Sequence, residues 1–357
     1  MRDEYIKFKN ILNIEEISGD INFWLVRTKK GIFYDEYSEN NFIALGWNYI
    51  DSKNINEENI DNIENLKNNI KEIYKTKQGT AIFNKCDKFI NEMMPGDIVM
   101  IPSAHNEKIM FAIVGDYFEK NLDYKKELEV ISRIDSGEDY GIDIECPYKK
   151  RRTIKKLKTI SGDRLNPNLY KVLASYHGLS KINKYSDFIL RSIYTLYTHE
   201  NKLNLVIPIE TTKNIDTTTL AEFILGITKV VKSEDENIKV TGKVDLNSPG
   251  DFQFIINDAI NFLSSNHNLG ALLSIVGTIC TGKYGPDIFK SFLNFIIEWR
   301  KTSSQIKNEE VDRQLKQIQI QKELMDLAEN SRRLEVNEDN VSNVINLAEI
   351  IHGNENN

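Results

Sequence analysis

Apolar residues in this chain fall into short runs set between Asn- and Lys-rich stretches, and their period changes from run to run. Phe23–Val26 and Phe42–Leu45 are compact aromatic and β-branched runs. They are bounded by the turn signal Lys29-Lys30-Gly31 and by Gly46-Trp47, and they predict two strands with a helical turn or two at 34–38 between them. A glycine before a large aromatic at a strand end marks a bulge, or a place where a backbone or ligand comes close. Ile55, Ile60, Ile63, Leu66, Ile70 and Ile73 recur at helical spacing and predict one or two amphipathic helices over 57–75. A second helix, over 80–91, carries Ile82, Phe83, Cys86, Phe89 and Ile90 on one side. Pro95-Gly96-Asp97 then forms a tight turn into a hairpin, with strands at 98–101 and 109–114 around the polar loop 103–108.

Beyond Pro167 the period is mostly helical. Leu169, Val172 and Leu173 predict one helix, and Phe188, Ile189, Ile193, Leu196 and Tyr197 another, capped by Ser186 or Asp187. A strand at 203–209, a helix at 216–231, a strand at 238–244 and a helix opened by Ser248-Pro249-Gly250-Asp251 and carrying Phe252, Ile255, Ile256, Ile260 and Leu263 suggest a small α/β domain. The most apolar window, 269–280, is too short for a typical membrane span and reads as a buried helix with small residues, with interfacial insertion or packing in an oligomer as the alternatives. An amphipathic segment at 288–299 and a long charged helix at 301–330 follow. Val311, Leu315, Ile318 and Met325 nearly keep a heptad there, interrupted by Lys322, so this helix packs on its own domain or on a second copy of the chain. A last short helix is predicted at 341–351. The fold class is α+β, divided into a polar lead-in (1–21), a β-rich domain (22–178), an α/β domain (179–265) and a helical region (266–357).

Composition narrows the function. With 40% hydrophobic and 28% charged residues the chain is an ordinary globular protein, and a net charge of −7 requires any nucleic-acid surface to be a local basic patch. One exists: seven of the ten residues 149–158 are basic. Lys149, Lys150, Arg151, Arg152, Lys155, Lys156 and Lys158 are the candidate phosphate-binding residues; the alternative is a solvated strand edge guarded by lysine. Three widely spaced cysteines and a polar N-terminus predict a reducing, cytoplasmic setting without a disulfide framework or signal peptide. No phosphate-binding loop, nucleophile elbow or zinc motif occurs, and His177 and His199 have no partner at metal spacing, so neither metal nor cofactor is expected. The nearest approach to a metal nuclease is Glu210-Thr211-Thr212-Lys213, with Asp187 as the upstream acid, but the lysine stands one place too late. A non-enzymatic binding protein is the first reading. A divergent Mg²⁺-dependent nuclease and an oligomerising effector or scaffold joined through 269–330 are the alternatives; a membrane partner is not expected.

The helix, Pro-Gly-Asp turn and hairpin, preceded by an aromatic-rich first strand, resemble the PUA-like superfamily, in particular its EVE-like and restriction-associated members. Trp24, the run from Phe42 to Trp47, the run from Pro95 to Ile101 and that from Phe111 to Gly115 carry the resemblance, over roughly residues 20–178. It implies a small β-barrel with flanking helices that binds DNA or RNA, or a modified base or nucleotide held in an aromatic-lined pocket. Trp24, Phe42, Trp47 and Tyr49 would supply stacking faces, and Asp97, Ser103, His105 and Asn106 polar contacts. It also implies a role as the recognition component of a prokaryotic restriction or antiphage defence system.

Overall fold

The computed structural model describes residues 12–56, 60–137, 144–174, 177–211, 214–233, 236–245, 250–281 and 310–337. The predicted helices at 288–299 and 341–351 lie outside the described residues. The chain is mixed α+β and divides into two units, residues 20–193 and residues 1–19 together with 194–357. The strands are β1 (Glu15–Ile17), β2 (Phe23–Val26), β3 (Phe42–Leu45), β4 (Ile98–Pro102), β5 (Lys108–Glu119), β6 (Lys150–Ser161), β7 (Leu179–Lys181), β8 (Leu196–His199), β9 (Lys202–Ile209), β10 (Val240–Asp245) and β11 (Gly250–Asn257). The principal helices are α1 (Tyr34–Asn40), α2 (Ile60–Ile73), α3 (Gly79–Asp87), α4 (Tyr124–Asp135), α5 (Pro167–Leu173), α6 (Ser186–Ile193), α7 (Thr217–Lys232), α8 (Asn266–Thr281) and α9 (Glu310–Arg333).

The unit of residues 20–193 is built on a six-stranded curled sheet in the order β3-β6-β5-β4-β2-β7. Its pairs are antiparallel except β2 with β4. Alternation decides what each face does. Trp24, Val26, Val99, Ile101, Met110, Ala112 and Val114 join one core with Phe33, Tyr37, Ile82, Cys86 and Phe89. The intervening Phe23, Leu25, Ile98, Met100 and Phe111 are equally buried, so the middle strands are covered on both faces and read as continuous apolar runs. The two longest strands, β5 and β6, pair from Lys108↔Ser161 at one end to Glu119↔Lys150 at the other, with register shifts at Phe111/Ala112 and Val114/Tyr117. Twelve residues at about 3.3 Å each separate these ends by roughly 35 Å.

The other unit has a five-stranded sheet in the order β1-β8-β9-β11-β10, with β1 parallel to β8 and the rest antiparallel. Leu203, Leu205 and Ile207 of β9 and Phe252, Phe254 and Ile256 of β11 face one core shared with α7, α8 and α9. Residues 268–280 of α8 are buried throughout, as a helix apolar all round requires. Asp216 caps α7, accepting from the Thr219 backbone N–H at 2.8 Å. No helix among the described residues is long and apolar enough to cross a membrane.

Several boundaries differ from those read along the sequence. Leu12 and Ile14 are core residues of the C-terminal unit rather than part of a polar lead-in. Residues 179–193 belong to the N-terminal unit, and the expected α/β and helical regions share one core. The apolar positions of 250–257 satisfy a strand period as well as a helical one, and pairing with β9 and β10 selects the strand. The helix expected to include Leu196 and Tyr197 stops at Ile193, and both residues enter β8.

Candidate functional site

The basic run is divided by its surroundings. Lys150, Arg151 and Arg152 are buried and spend their donors on backbone carbonyls. Lys150 Nζ donates to the carbonyls of Trp47 and Ile50, each at 2.8 Å. Arg151 donates to the carbonyls of Tyr148 and Cys146 at 3.0 and 2.8 Å, with its guanidinium 4.2 Å from the centre of the Phe42 ring. Arg152 reaches the carbonyls of Phe89 and Ile90, at 2.9 Å each, and of Gly115 at 3.2 Å. The first two end the α3 helix and its following turn, where unpaired carbonyls and the helix dipole favour a cation. Lys149 is held by Asp51 at 2.9 Å and Glu119 at 3.2 Å. These four cations are structural clasps, which corrects their assignment to phosphate. On the far half of β6, Lys155 and Lys156 are exposed and Lys158 is half-buried. Burial lowers the Lys158 pKa, and no carboxylate opposes that shift.

The residues expected to line one base pocket are likewise dispersed. Trp24 is fully buried, and its Nε1 donates to Asp97 Oδ2 at 2.7 Å. Asp97 also accepts from the backbone of Asn22 at 2.9 Å and Met94 at 3.0 Å, so this carboxylate fixes the turn before β4. Phe42 is buried beneath Arg151. Ser103, His105 and Asn106 form the β4–β5 turn, with His105 and Asn106 left-handed at φ 51 and 59. Ser103 Oγ accepts from the Lys108 backbone N–H at 2.8 Å. This turn lies at the Ser161 end of the β5–β6 ladder, whereas Trp47 and Tyr49 follow the Leu45↔Lys150 pair at the other end. Trp24, Phe42 and Asp97 are therefore core, and Ser103, His105 and Asn106 stand too far from Trp47 to share a base with it.

Trp47 and Tyr49 are partly buried against the core of this unit, on a tightly specified turn. Trp47 has φ 62, an uncommon conformation for a bulky side chain. Three consecutive N–H groups explain its persistence. Those of Trp47 and Asn48 donate to Glu127 Oε1 and Oε2 at 2.6 and 2.7 Å. That of Tyr49 donates to the Tyr74 hydroxyl oxygen at 3.2 Å, and this hydroxyl donates to Glu127 Oε2 at 2.9 Å. The carbonyl side of the turn is clasped by Lys150. Asn48 completes the frame, donating to the carbonyls of Asp123 and Pro147 and accepting from the Lys149 backbone. A Cβ on Gly46 would sit 2.7 Å from Glu127 Oε1, so a side chain there would displace the carboxylate. Lys85 Nζ lies 5.5 Å from the centre of the Trp47 ring, and Tyr49 meets Tyr124 edge-on at 5.7 Å.

Burial raises the Glu127 pKa despite its hydrogen bonds and the nearby Lys150 ammonium, and burial lowers that of Lys150. Burial also pushes the Cys86 thiol up to about 11, leaving it protonated and a poor nucleophile. The arrangement presents an indole on a rigid support. Glu127 and Tyr74 are the residues that sequence reasoning missed; the helical spacing of Leu128, Ile131 and Ile134 after Asp123 was the available signal for α4. Among the described residues no cluster of three or more His, Cys, Asp or Glu side chains is placed to hold a metal ion. Of the nuclease-like set, Asp187 lies on α6 of one unit, Glu210 follows β9 in the other, and Lys213 lies outside the described residues.

A family model described as a domain of unknown function (DUF8426) matches residues 23–163, from β2 to the end of β6. No curated protein and no solved structure matches the chain.

Proposed function

We propose that residues 20–193 are a PUA-like nucleic-acid-binding unit that takes phosphates on Lys155, Lys156 and Lys158 and stacks a base, plain or modified, on Trp47. The curled sheet with flanking helices supports the PUA-like reading. One observation carries the binding reading. The seven cations of the basic run split into four engaged by carboxylates or backbone carbonyls and three, on the far half of β6, that no acid among the described residues engages. Three lysines within four residues of one strand concentrate positive charge that costs self-repulsion when left alone and that an anionic backbone would relieve. By the resemblance to restriction-associated PUA-like domains, the natural setting is recognition in a prokaryotic defence system.

The test is anisotropy of the full chain with labelled single- and double-stranded DNA and RNA, with and without modified bases, across a salt series. Replacing Lys155, Lys156 and Lys158 by Gln should weaken binding. It should also flatten the plot of log K against log salt by about 0.7–0.9 per lost contact. Binding with an unaltered slope would refute the assignment.

A further inference from the structure

The outer face of α9 carries large side chains that no described residue of its own unit covers, with Glu329 paired only to Arg333 one turn along the same helix. Leu324, Leu327, Ala328, Ser331 and Leu334 point inward and are buried. On the opposite side Ile318, Lys322, Met325, Glu329 and Arg332 recur at steps of four and three, which places all five on one stripe of the helix. Ile318 is 62% exposed and Met325 54% exposed. Leu225, 52% exposed, stands on the neighbouring α7 and lines a groove of about 470 Å³ with Lys322, Asp326 and Glu329. Two large apolar side chains separated by two turns, with charges between them, form a seam suited to a second helix in water.

We infer that this seam is an interface with a second copy of the chain, the two α9 helices running antiparallel about a two-fold axis through Met325. The order of charges selects both the occupant and the direction. Antiparallel pairing about Met325 sets Lys322 of each copy opposite Glu329 of the other, so two opposite-charge pairs flank a Met325–Met325 contact. Ile318 then lies beside the aliphatic stem of Arg332 from the other copy. Parallel pairing would set Lys322 against Lys322 and Glu329 against Glu329, which is unfavourable. The arrangement is isologous and closes, so it makes dimers and not filaments. A seam from Ile318 to Arg332 is only about 20 Å long at 1.5 Å per residue. Its area therefore falls short of the roughly 800 Å² per partner of a standard interface, and the dimer is reversible and concentration-dependent.

Sedimentation velocity of the full chain over a wide concentration range tests this directly. The wild type should pass from monomer to dimer. Met325→Glu, which sets two carboxylates on the axis, should abolish the dimer. Lys322→Glu and Glu329→Lys should each weaken it roughly tenfold or more, and the double exchange should restore it, because only the cross-pair is rebuilt. Met325→Cys should crosslink copy to copy under mild oxidation, the three native cysteines being buried. Circular dichroism should show that these surface changes leave the helical content intact. A wild type that remains monomeric throughout overturns the inference. So does a dimer indifferent to Met325→Glu, or one that the double exchange fails to rescue.

Discussion

The Trp47 turn depends on one carboxylate, and Glu127→Gln isolates that dependence. The substitution keeps shape and volume but replaces two acceptor oxygens by one oxygen and one NH₂ group. In the native turn Oε1 accepts from Trp47 N at 2.6 Å, while Oε2 accepts from Asn48 N at 2.7 Å and Tyr74 Oη at 2.9 Å. Whichever way the glutamine amide turns, at least one backbone N–H faces another donor. Hydrogen bonds to a charged acceptor contribute about 1.5–3 kcal/mol each, and a buried donor left unpaired costs about 1–3 kcal/mol. Relief of the buried charge offsets part of this, so a loss of about 2–4 kcal/mol is expected. In a unit of this size that corresponds to a fall of roughly 4–16 °C in Tm. Trp24 and Trp47 both lie in this unit, and their fluorescence during urea unfolding reports on it. A change below about 0.5 kcal/mol, within the range of ordinary surface substitutions, would refute the reasoning. Glu127 would then be a bystander to the left-handed turn.

Three further outcomes follow from the same geometry. Because burial raises the folded-state pKa of Glu127, its contribution to stability is present at low pH and lost as pH rises through that value. Asp51 and Glu119, lowered by their hydrogen bonds and Lys149, act in the opposite sense and lose their contribution as pH falls. Unfolding midpoints followed upward in pH from the ordinary carboxylate range should therefore show a component in the wild type that Glu127→Gln removes. Arg152→Met should cost about 3 kcal/mol or more, since it strips three carbonyls of their donor. Lys155→Gln and Lys156→Gln should stay within about 0.5 kcal/mol, and equal costs along the run would contradict the division of β6. Trp47→Ala should weaken single-strand binding by about 1–3 kcal/mol while far-ultraviolet circular dichroism stays native; unchanged affinity would remove the ring from the contact surface.

Much of the fold was legible because its strongest signals are local. The runs at Phe23–Val26, Phe42–Leu45 and Ile98–Pro102 are strands as read, and the amphipathic stripes of α2 and α7 form helices. Period alone could not decide 250–257, where Phe252, Ile255 and Ile256 suit a helix and Phe252, Phe254 and Ile256 suit a strand; only the neighbours β9 and β10 settle it. The site was less legible, because burial of a charge is a tertiary property. Nothing in the run KKRRTIKKLK distinguishes Arg152, which serves carbonyls on a helix about sixty residues earlier, from Lys155, which serves none. Glu127 could not be assigned from sequence for the same reason: its partners lie 79 and 80 residues away, on a turn whose own residues announce only a glycine and an aromatic.

The pairing of β1 with β8 also has a consequence for synthesis. Ile17 and His199 meet although 182 residues separate them. At roughly 5–20 residues per second, the ribosome delivers the partner strand about 10–40 s after the first. During that interval residues 20–193 are still being made, and Leu12 and Ile14 have no sheet to enter. A chain released early, after residue 193, would keep this apolar segment permanently without its core. Fragments meant for binding work should therefore begin at residue 20, and a stalled ribosome on this message would expose a short sticky leader for chaperones to hold.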